Sequence, residues 1–529
     1  MLQTPRATRG MVVAPNHLAA QAGLRVLREG GNAVEAMVAA AAAIAVTYPH
    51  MNGLGGDCFW LLAAPGGEPV GIDACGAAGR AVDVALYRRQ GLDAIPPRGP
   101  LAANTVAGAI SGWQAALRVA ERWGGRLPLD RLLEDALHYA RAGTPVTRSQ
   151  HANTTQKRAE LLDVPGFAEG FLIDGAPPPV GSLFRQPALA GTLERLGKAG
   201  LDDFYRGELA AAMAAELARV GSPLTPEDLT GQRGREVTPL KLALRCGTAY
   251  NLPPPTQGLA SLLVLGLFDR LGIVEPEGFA YLHGLVEATK RAFRVRDAHV
   301  TDPAYMDADP ESFLAEAALA ENVAAIDRTR AAPWPAAPGG GDTVWLGAID
   351  GEGRAVSFIQ SLYWEFGSGV RLRDTGILWQ NRGSSFQLAE GARNALRPGR
   401  KPFHTIQPAL ARLADGRVMV YGAMGGEGQP QTQAAVFTRH VLFGQELQAA
   451  VTAPRWLLGR TWGAPTANLR LESRFPAALV DALRTAGHDI ELVGPFDEIM
   501  GHAGALARHP SGVIEGAADP RGDGIAAAF

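Results

Sequence analysis

Cysteine is almost absent from this chain. Cys58, Cys75 and Cys246 are the only three in 529 residues. An odd number at wide spacing makes neither a disulfide framework nor a metal-ligand cluster. A reducing compartment is the simpler expectation. No charge of one sign dominates: 50 Lys+Arg stand against 53 Asp+Glu, a net charge of −3. That balance gives no argument for nucleic acid or an anionic membrane as partner. No apolar run is long enough to span a bilayer; the most apolar, Ala36 to Val46, is short and mostly alanine. Met1 to Gly10 is polar and lacks the apolar centre of a signal peptide. The expectation is a cytoplasmic protein. Internal repeats and low-complexity blocks are also missing. What remains is globular by composition, 47% apolar and 19% charged, and long enough to bury a large core.

Several helices announce themselves by period and punctuation. Asn16 to Glu29 has helical spacing and stops at Gly30-Gly31. Asn32 caps a second helix, Ala33 to Val46, whose small side chains suit a buried position. Ile110 to Trp123, Leu127 to Ala142, Gln186 to Ala199, Asp202 to Val220, Gly258 to Leu271 and Phe279 to Val295 also read as helices. Thr225-Pro226-Glu227-Asp228 is a helix start. Residues 148–174 show no clean period. Strand patterns fall at Phe59 to Ala63, Val70 to Asp73, 240–251 and Val418 to Gly422. Later helices are expected at Gln429 to Phe443, Leu447 to Ala453 and Phe475 to Ala486. Asn52 to Asp57 is glycine-rich but lacks Walker and dinucleotide spacing, so it reads as backbone lining rather than a phosphate cradle. Helices and strands in mixed order imply layered α/β structure.

One stretch suggests chemistry. A Pro/Gly/Ala-rich linker, Ala331 to Gly341, leads into Asp342-Thr343. Two apolar runs follow, Val344 to Ile349 and Ala355 to Gln360, joined by Asp350-Gly351-Glu352-Gly353 with its hairpin signal. Thr343 therefore opens a strand directly after a linker. A threonine hydroxyl needs an adjacent base to become a nucleophile. Cleavage between Asp342 and Thr343 would supply one, the new α-amine, whose ordinary pKa is about 8. Pairing Asp350 with Gly353 would set Thr343 opposite Gln360. A one-residue bulge would set it opposite Ser361.

The longer pattern resembles the γ-glutamyltranspeptidase family. The carrying motifs are Thr343 with its hairpin, Phe366-Gly367-Ser368-Gly369-Val370, Gly376-Ile377-Leu378 and Lys401-Pro402-Phe403-His404-Thr405-Ile406-Gln407-Pro408. Met424-Gly425-Gly426, Ala453-Pro454-Arg455-Trp456 and Ala518-Asp519-Pro520-Arg521 follow. Asn52 to Asp57 and Pro253 to Gly258 extend the resemblance upstream. It implies a four-layer αββα N-terminal-nucleophile hydrolase sandwich, made as one chain and self-cleaved at Asp342-Thr343. Residues 1–342, with a processing linker at 331–342, would form the large subunit and 343–529 the small one, and the two would stay associated. Whether that pair assembles into a homo-oligomer is left open. By the same resemblance Thr343 is the catalytic nucleophile, Ser361 orients it, and Gly425 and Gly426 form an oxyanion hole. No metal and no organic cofactor is implied. The cytoplasmic expectation departs from the exported habit of most family members.

Departures from the family pattern bear on substrate. Transpeptidases carry an acidic pair that reads the glutamyl α-amine; Arg382 and Ser385 stand there instead. Their carboxylate-holding arginine is here Cys75, an asparagine is Tyr363, and a Ser-Ser pair is His404-Thr405. A cation where an ammonium group would bind opposes that substrate. Arg382 could instead grip a carboxylate bidentately, and Tyr363 could shorten the site. A small acyl group with its carboxylate beside the scissile carbonyl fits, and oxamate has that shape. The resemblance is strongest to a branch that hydrolyses oxamate to oxalate and ammonia in bacterial purine breakdown. A γ-glutamyl hydrolase or transferase and a glutaryl-type acylase remain alternatives. So does an uncleaved, inactive homologue that serves as a binding or structural subunit.

Overall fold

The computed structural model describes residues 3–334, 342–459 and 468–529, with the backbone alone at Asp342. The linker expected at 331–342 therefore falls mostly outside the described residues, as does the side chain of the expected processing residue Asp342. Two seven-stranded sheets form the centre. The first runs Ile525–Ala528, Gly10–Ala14, Asp342–Asp350, Ala355–Tyr363, Asp57–Ala63, Val70–Ala74 and Arg235–Val237, every neighbour antiparallel. The second runs Arg6–Ala7, Ile514–Ala518, Ala503–Arg508, Val418–Ala423, Ala409–Leu413, Gly247–Asn251 and Leu240–Leu244, again antiparallel.

Period-2 alternation decides what each face buries. Trp345, Ile349, Ile359, Phe59 and Leu61 point from the first sheet into the space between sheets, against Leu410, Val420, Leu506 and Ile514 of the second. Val344, Leu346, Ala348, Val356 and Phe358 point outward onto the Ala33–Thr47 helix and its neighbours. Ala411, Met419 and Tyr421 pack against helices Gly258–Leu271, Phe279–His299 and Gln429–Phe437. Helix, sheet, sheet, helix is the four-layer αββα sandwich.

The hairpin is tied to the helix layer. Asn32 and Glu35 cap the Ala33–Thr47 helix reciprocally, and all of that helix is buried. The Asp350 carboxylate accepts the Ala33 N–H at 3.0 Å and the Arg354 guanidinium at 2.8 Å. The turn itself is one residue longer than the Asp-Gly pair suggests. Asp350 N–H donates to the Arg354 carbonyl at 3.1 Å, leaving Gly351-Glu352-Gly353 as the loop. Gly353 takes φ +87°, the left-handed position a three-residue hairpin loop requires. This sets Val344 opposite Gln360 rather than Thr343.

Two expected helices are broken. Residues 202–220 form Asp203–Arg206 and Glu208–Val220, because the Asp203 carboxylate turns back to accept the Glu208 N–H at 3.0 Å. Residues 429–443 are α-helical to Phe437, then one π turn, Thr438–Leu442.

Candidate active site

Thr343 lies where the hairpin register slips. Asp342 pairs with Tyr363 and Val344 with Gln360, so the Ala355–Tyr363 strand carries a bulge opposite Thr343. The Thr343 hydroxyl donates to Ser361 Oγ at 3.1 Å. Ser361 Oγ also accepts the Tyr363 N–H at 2.8 Å. Gln429 Nε2 reaches Thr343 Oγ1 at 3.5 Å. Both hydroxyl residues are buried. Ser361 is in turn paired with Asp57 on the next strand. Directly paired antiparallel residues share a face, so Thr343, Ser361 and Asp57 form a row at the end of the inter-sheet core. Cys75, one step past the Cys58–Ala74 pair, continues it.

Glycines of the Asn52–Asp57 run let the chain pass close to this row. A Cβ on Gly56 would stand 2.2 Å from the Ser361 carbonyl oxygen, and one on Gly55 2.2 Å from that of Leu378. That run is backbone lining, as expected.

The Gly425–Gly426 loop ends the Val418–Ala423 strand of the second sheet, with φ +110° and +52°. Gln257 fastens it: its side-chain N–H donates to the carbonyls of Thr405 at 2.5 Å and Gly426 at 2.8 Å. Gln257 Oε1 accepts Arg296 Nη1 at 3.0 Å. Positive-φ glycines next to a helix start are the kind of backbone that presents N–H groups to a developing anion.

Arg382 opens the short turn Arg382–Ser385 and is 1% exposed. Its guanidinium lies 3.5 Å over the Tyr363 ring centroid, a cation–π stack. Nη1 donates to Thr405 Oγ1 at 3.3 Å. Nε and Nη2 are buried without a hydrogen-bond partner. Two acids upstream in the sequence pair elsewhere: Asp374 with Arg219 and Glu365 with Lys157. Burial pulls the Arg382 pKa below its ordinary value, while Tyr363 and Asp57 oppose that. Tyr363 holds φ +83°, a left-handed conformation that costs a non-glycine residue about 1–3 kcal/mol. Its N–H bond to Ser361 and the stack on Arg382 hold it there.

His404 completes this wall. Its Nε2 is 3.3 Å from Asp57 Oδ2, and its ring packs edge-on to Phe59. Burial, then Arg382 and Lys401, push the imidazole well below its ordinary pKa, so it is neutral. Asp57 Oδ1 accepts the N–H groups of Gly76 and Gly108, both at 3.0 Å. Burial nevertheless raises the Asp57 pKa to about 7.

The fold thus brings Thr343, Ser361, Tyr363, Arg382, His404 and Thr405 into one connected group. Gly425–Gly426 joins it through Gln257. Ser385 does not join it by any bond of its side chain seen here; Asn394 Nδ2 lies 3.4 Å from its hydroxyl and 2.9 Å from its carbonyl. Sequence reasoning passed over Asp57, Gln257 and Gln429. The first two were visible only as the last residue of a glycine run and the penultimate residue of a proline run.

A different set of potential metal ligands, His283, Glu287 and His488, lies together elsewhere. It is satisfied internally: His283 Nδ1 and His488 Nε2 bond each other at 2.9 Å, and Glu287 holds Lys290 at 2.7 Å and the Ala332 N–H at 3.2 Å. Among the described residues no helix is long and apolar enough to cross a membrane.

Comparison with known proteins agrees with this architecture. Residues 19–529 match the family described as Gamma-glutamyltranspeptidase. The chain is 56% identical to an oxamate amidohydrolase proenzyme of Klebsiella pneumoniae over 99% of each chain. It is 42% identical to a glutathione hydrolase-like YwrD proenzyme of Bacillus subtilis over 98% of each. The crystal structure of a cephalosporin acylase from Bacillus halodurans superposes with a TM-score of 0.92 at 34% identity, covering 100% of this chain and 97% of that one. The chain belongs to the γ-glutamyltranspeptidase family.

Proposed function

We propose that this protein is a self-processing amidohydrolase whose substrate is oxamate. In processing, the Thr343 hydroxyl adds to the Asp342 carbonyl. The peptide bond becomes an ester, and water then hydrolyses that ester. The products are a chain of residues 1–342 ending in a carboxylate and a chain of residues 343–529 beginning with a free α-amine, held together by the shared αββα core. The α-amine then serves as base for the Thr343 hydroxyl. In turnover, Thr343 Oγ adds to the amide carbonyl while the α-amine takes its proton. The N–H groups of Gly425 and Gly426 stabilise the oxyanion, a contribution of roughly 3 kcal/mol per donor. The amine returns the proton to the leaving nitrogen, ammonia departs, and water releases oxalate from the acyl-enzyme.

The observation that carries the substrate assignment is Arg382, buried against Tyr363 with two N–H-bearing nitrogens lacking partners. A carboxylate satisfies such a fork. Ser361 orients Thr343, and Tyr363, His404 and Thr405 line the carboxylate end. Ser385 is assigned to the same end through the turn it shares with Arg382. The activity named for the Klebsiella relative, oxamate amidohydrolase, supports the same reading. The three free thiols suit the cytoplasm. A second reading, hydrolysis of a longer acyl amide, draws on the likeness to cephalosporin acylase.

The test is intact mass together with ammonia release from oxamate. Wild type should give two chains split before Thr343 and release ammonia; Thr343→Ala should stay one chain of 55.6 kDa and release none. Two chains without ammonia from oxamate, but with release from a glutaryl amide, would replace the first reading by the second. One uncut wild-type chain would leave a binding subunit in place of an enzyme.

A further inference from the structure

Asp57 has a place in the site that processing and turnover leave unused. It is 1% exposed and occupies the same sheet face as Thr343 and Ser361. One carboxylate oxygen is fixed by two backbone N–H groups. The other, Oδ2, is buried without a hydrogen-bond partner at bonding geometry, although the Gln380 side chain also favours the ionised form of Asp57; both ring nitrogens of His404 and Nε and Nη2 of Arg382 are likewise buried without a partner. Oδ2 is 3.3 Å from His404 Nε2, and Asp57 and Arg382 act on each other electrostatically without forming a salt bridge. A buried carboxylate without a salt bridge is costly. Here it faces a guanidinium that also lacks one.

We propose that Asp57 is an internal competitor for Arg382, so that binding of a substrate carboxylate is coupled to uptake of one proton by Asp57. The inference rests on the carboxylate reading of Arg382. With Asp57 ionised, His404 Nε2–H faces its Oδ2, and the charge of Arg382 is already partly answered. With Asp57 protonated, its O–H faces His404 Nε2, and the full charge of Arg382 is free for a ligand. Two carboxylates beside one guanidinium cannot both stay ionised cheaply in a dry site. The entering carboxylate therefore raises the proton affinity of Asp57. A proton bound and a bond made to Arg382 favour each other by linkage.

Apart from the Thr343 α-amine that cleavage creates, whose ordinary value is about 8, the groups around Asp57 leave it as the one that titrates near neutrality. His404 stays neutral and Lys401 stays charged, paired with Asp73 at 2.5 Å. Burial holds the thiols of Cys58 and Cys75 and the phenol of Tyr205 above their ordinary values, so they remain protonated. Burial lowers the Arg382 pKa, but a guanidinium keeps its proton in proteins and stays a cation. Burial places Asp57 itself at about 7.

The experiment is calorimetry of oxalate binding to the cleaved wild-type protein, from about pH 5 to about pH 9, in buffers of different ionisation enthalpy. Oxalate is already ionised over that range. Affinity should be level below about 7 and weaken by up to tenfold per pH unit above it, with close to one proton taken up per oxalate. Asp57→Asn keeps an oxygen for the Gly76 and Gly108 N–H groups. In that variant, cleaved and melting as wild type does, the step at about 7 should be gone and proton uptake should fall by close to one per oxalate, leaving only the contribution of the Thr343 α-amine at about pH 8. Level wild-type affinity without proton uptake would overturn the inference and spare the carboxylate reading. So would a pH dependence and a proton uptake that are unchanged in Asp57→Asn. No oxalate binding at any pH would remove the carboxylate reading and the inference with it.

Discussion

Two buried arginine clusters in this fold are built on opposite terms. Near the C-terminus, Arg521 spends all three side-chain nitrogens on protein. Nε donates to Glu472 at 2.7 Å, Nη1 to Asp519 at 3.0 Å and Nη2 to Glu472 at 2.8 Å. Arg455 beside it donates to the carbonyls of Gly501 at 2.7 Å and Val451 at 3.0 Å, and pairs with Asp519. At the candidate site, Arg382 is as deeply buried but has one weak bond and two nitrogens without partners. Arg455, Asp519 and Arg521 fall in motifs that mark the family, whereas Arg382 stands where this chain departs from the family pattern. The difference separates an arginine spent on architecture from one with capacity left over. A closed network holds three chain segments together and has no capacity left. An open one tolerates a desolvated cation that a small anion can answer.

The sharpest way to break the comparison is to remove one partner from each cluster. Asp519→Asn leaves Arg455 and Arg521 facing a neutral group in a dry interior, and should cost about 3–5 kcal/mol in urea unfolding. It should also change the acid side of the stability profile. Burial by itself would raise Asp519, yet Arg455 and Arg521 hold it down to about 2. Its folded pKa therefore lies below the unfolded one, and its pairing stabilises at neutral pH. That stabilisation is lost as pH falls from about 4 towards about 2. The variant should lack that loss. A variant as stable as wild type would mean the closed network is ornamental.

Arg382→Met is the matching change, with the opposite expected signature. No carboxylate among the described residues loses a salt-bridge partner, so stability should hold or rise. kcat/KM for oxamate should fall about 100-fold, the loss of roughly 3 kcal/mol expected for charge-assisted bonds to a carboxylate. Steady-state ammonia release and thermal melting of the cleaved protein measure the two halves. Destabilisation with unchanged kinetics would make Arg382 a second architectural arginine.

The architecture was largely legible because it is written locally. Caps at Asn16 and Asn32, the glycines after the first helix and the largely apolar 258–271 run place helices within a residue or two. The hairpin was visible, but its register was not. Asp350-Gly351 signals a two-residue turn, and only Gly353 at φ +87° reveals the longer loop that brings Ser361 to Thr343. In the site, residues within the family motifs were found because each is near a recognisable neighbour in sequence. Gln257 fastens Gly426 across 169 positions, and Gln429 reaches Thr343 across 86. No local period encodes such bonds. Asp57 escaped for a related reason: its meaning lies in the strand beside it, not in the glycines before it.

The smallest of these effects concerns the hydroxyl pair itself. Ser361→Ala removes the acceptor for the Thr343 hydroxyl and for the Tyr363 N–H. Each is a neutral hydrogen bond, worth about 1 kcal/mol. The conversion of precursor to two chains should slow roughly tenfold, and turnover by a similar factor. Ser361→Thr keeps the oxygen and should restore both rates. Time-resolved denaturing gels read the first rate and ammonia release the second. The outcome also bears on the arginine comparison. If losing this oxygen lets Tyr363 leave its left-handed conformation, the ring under Arg382 moves with it, and KM for oxamate rises alongside the fall in kcat. If KM stays put, Tyr363 is held by the arginine stack alone, and the nucleophile and the carboxylate grip are independent parts of one site.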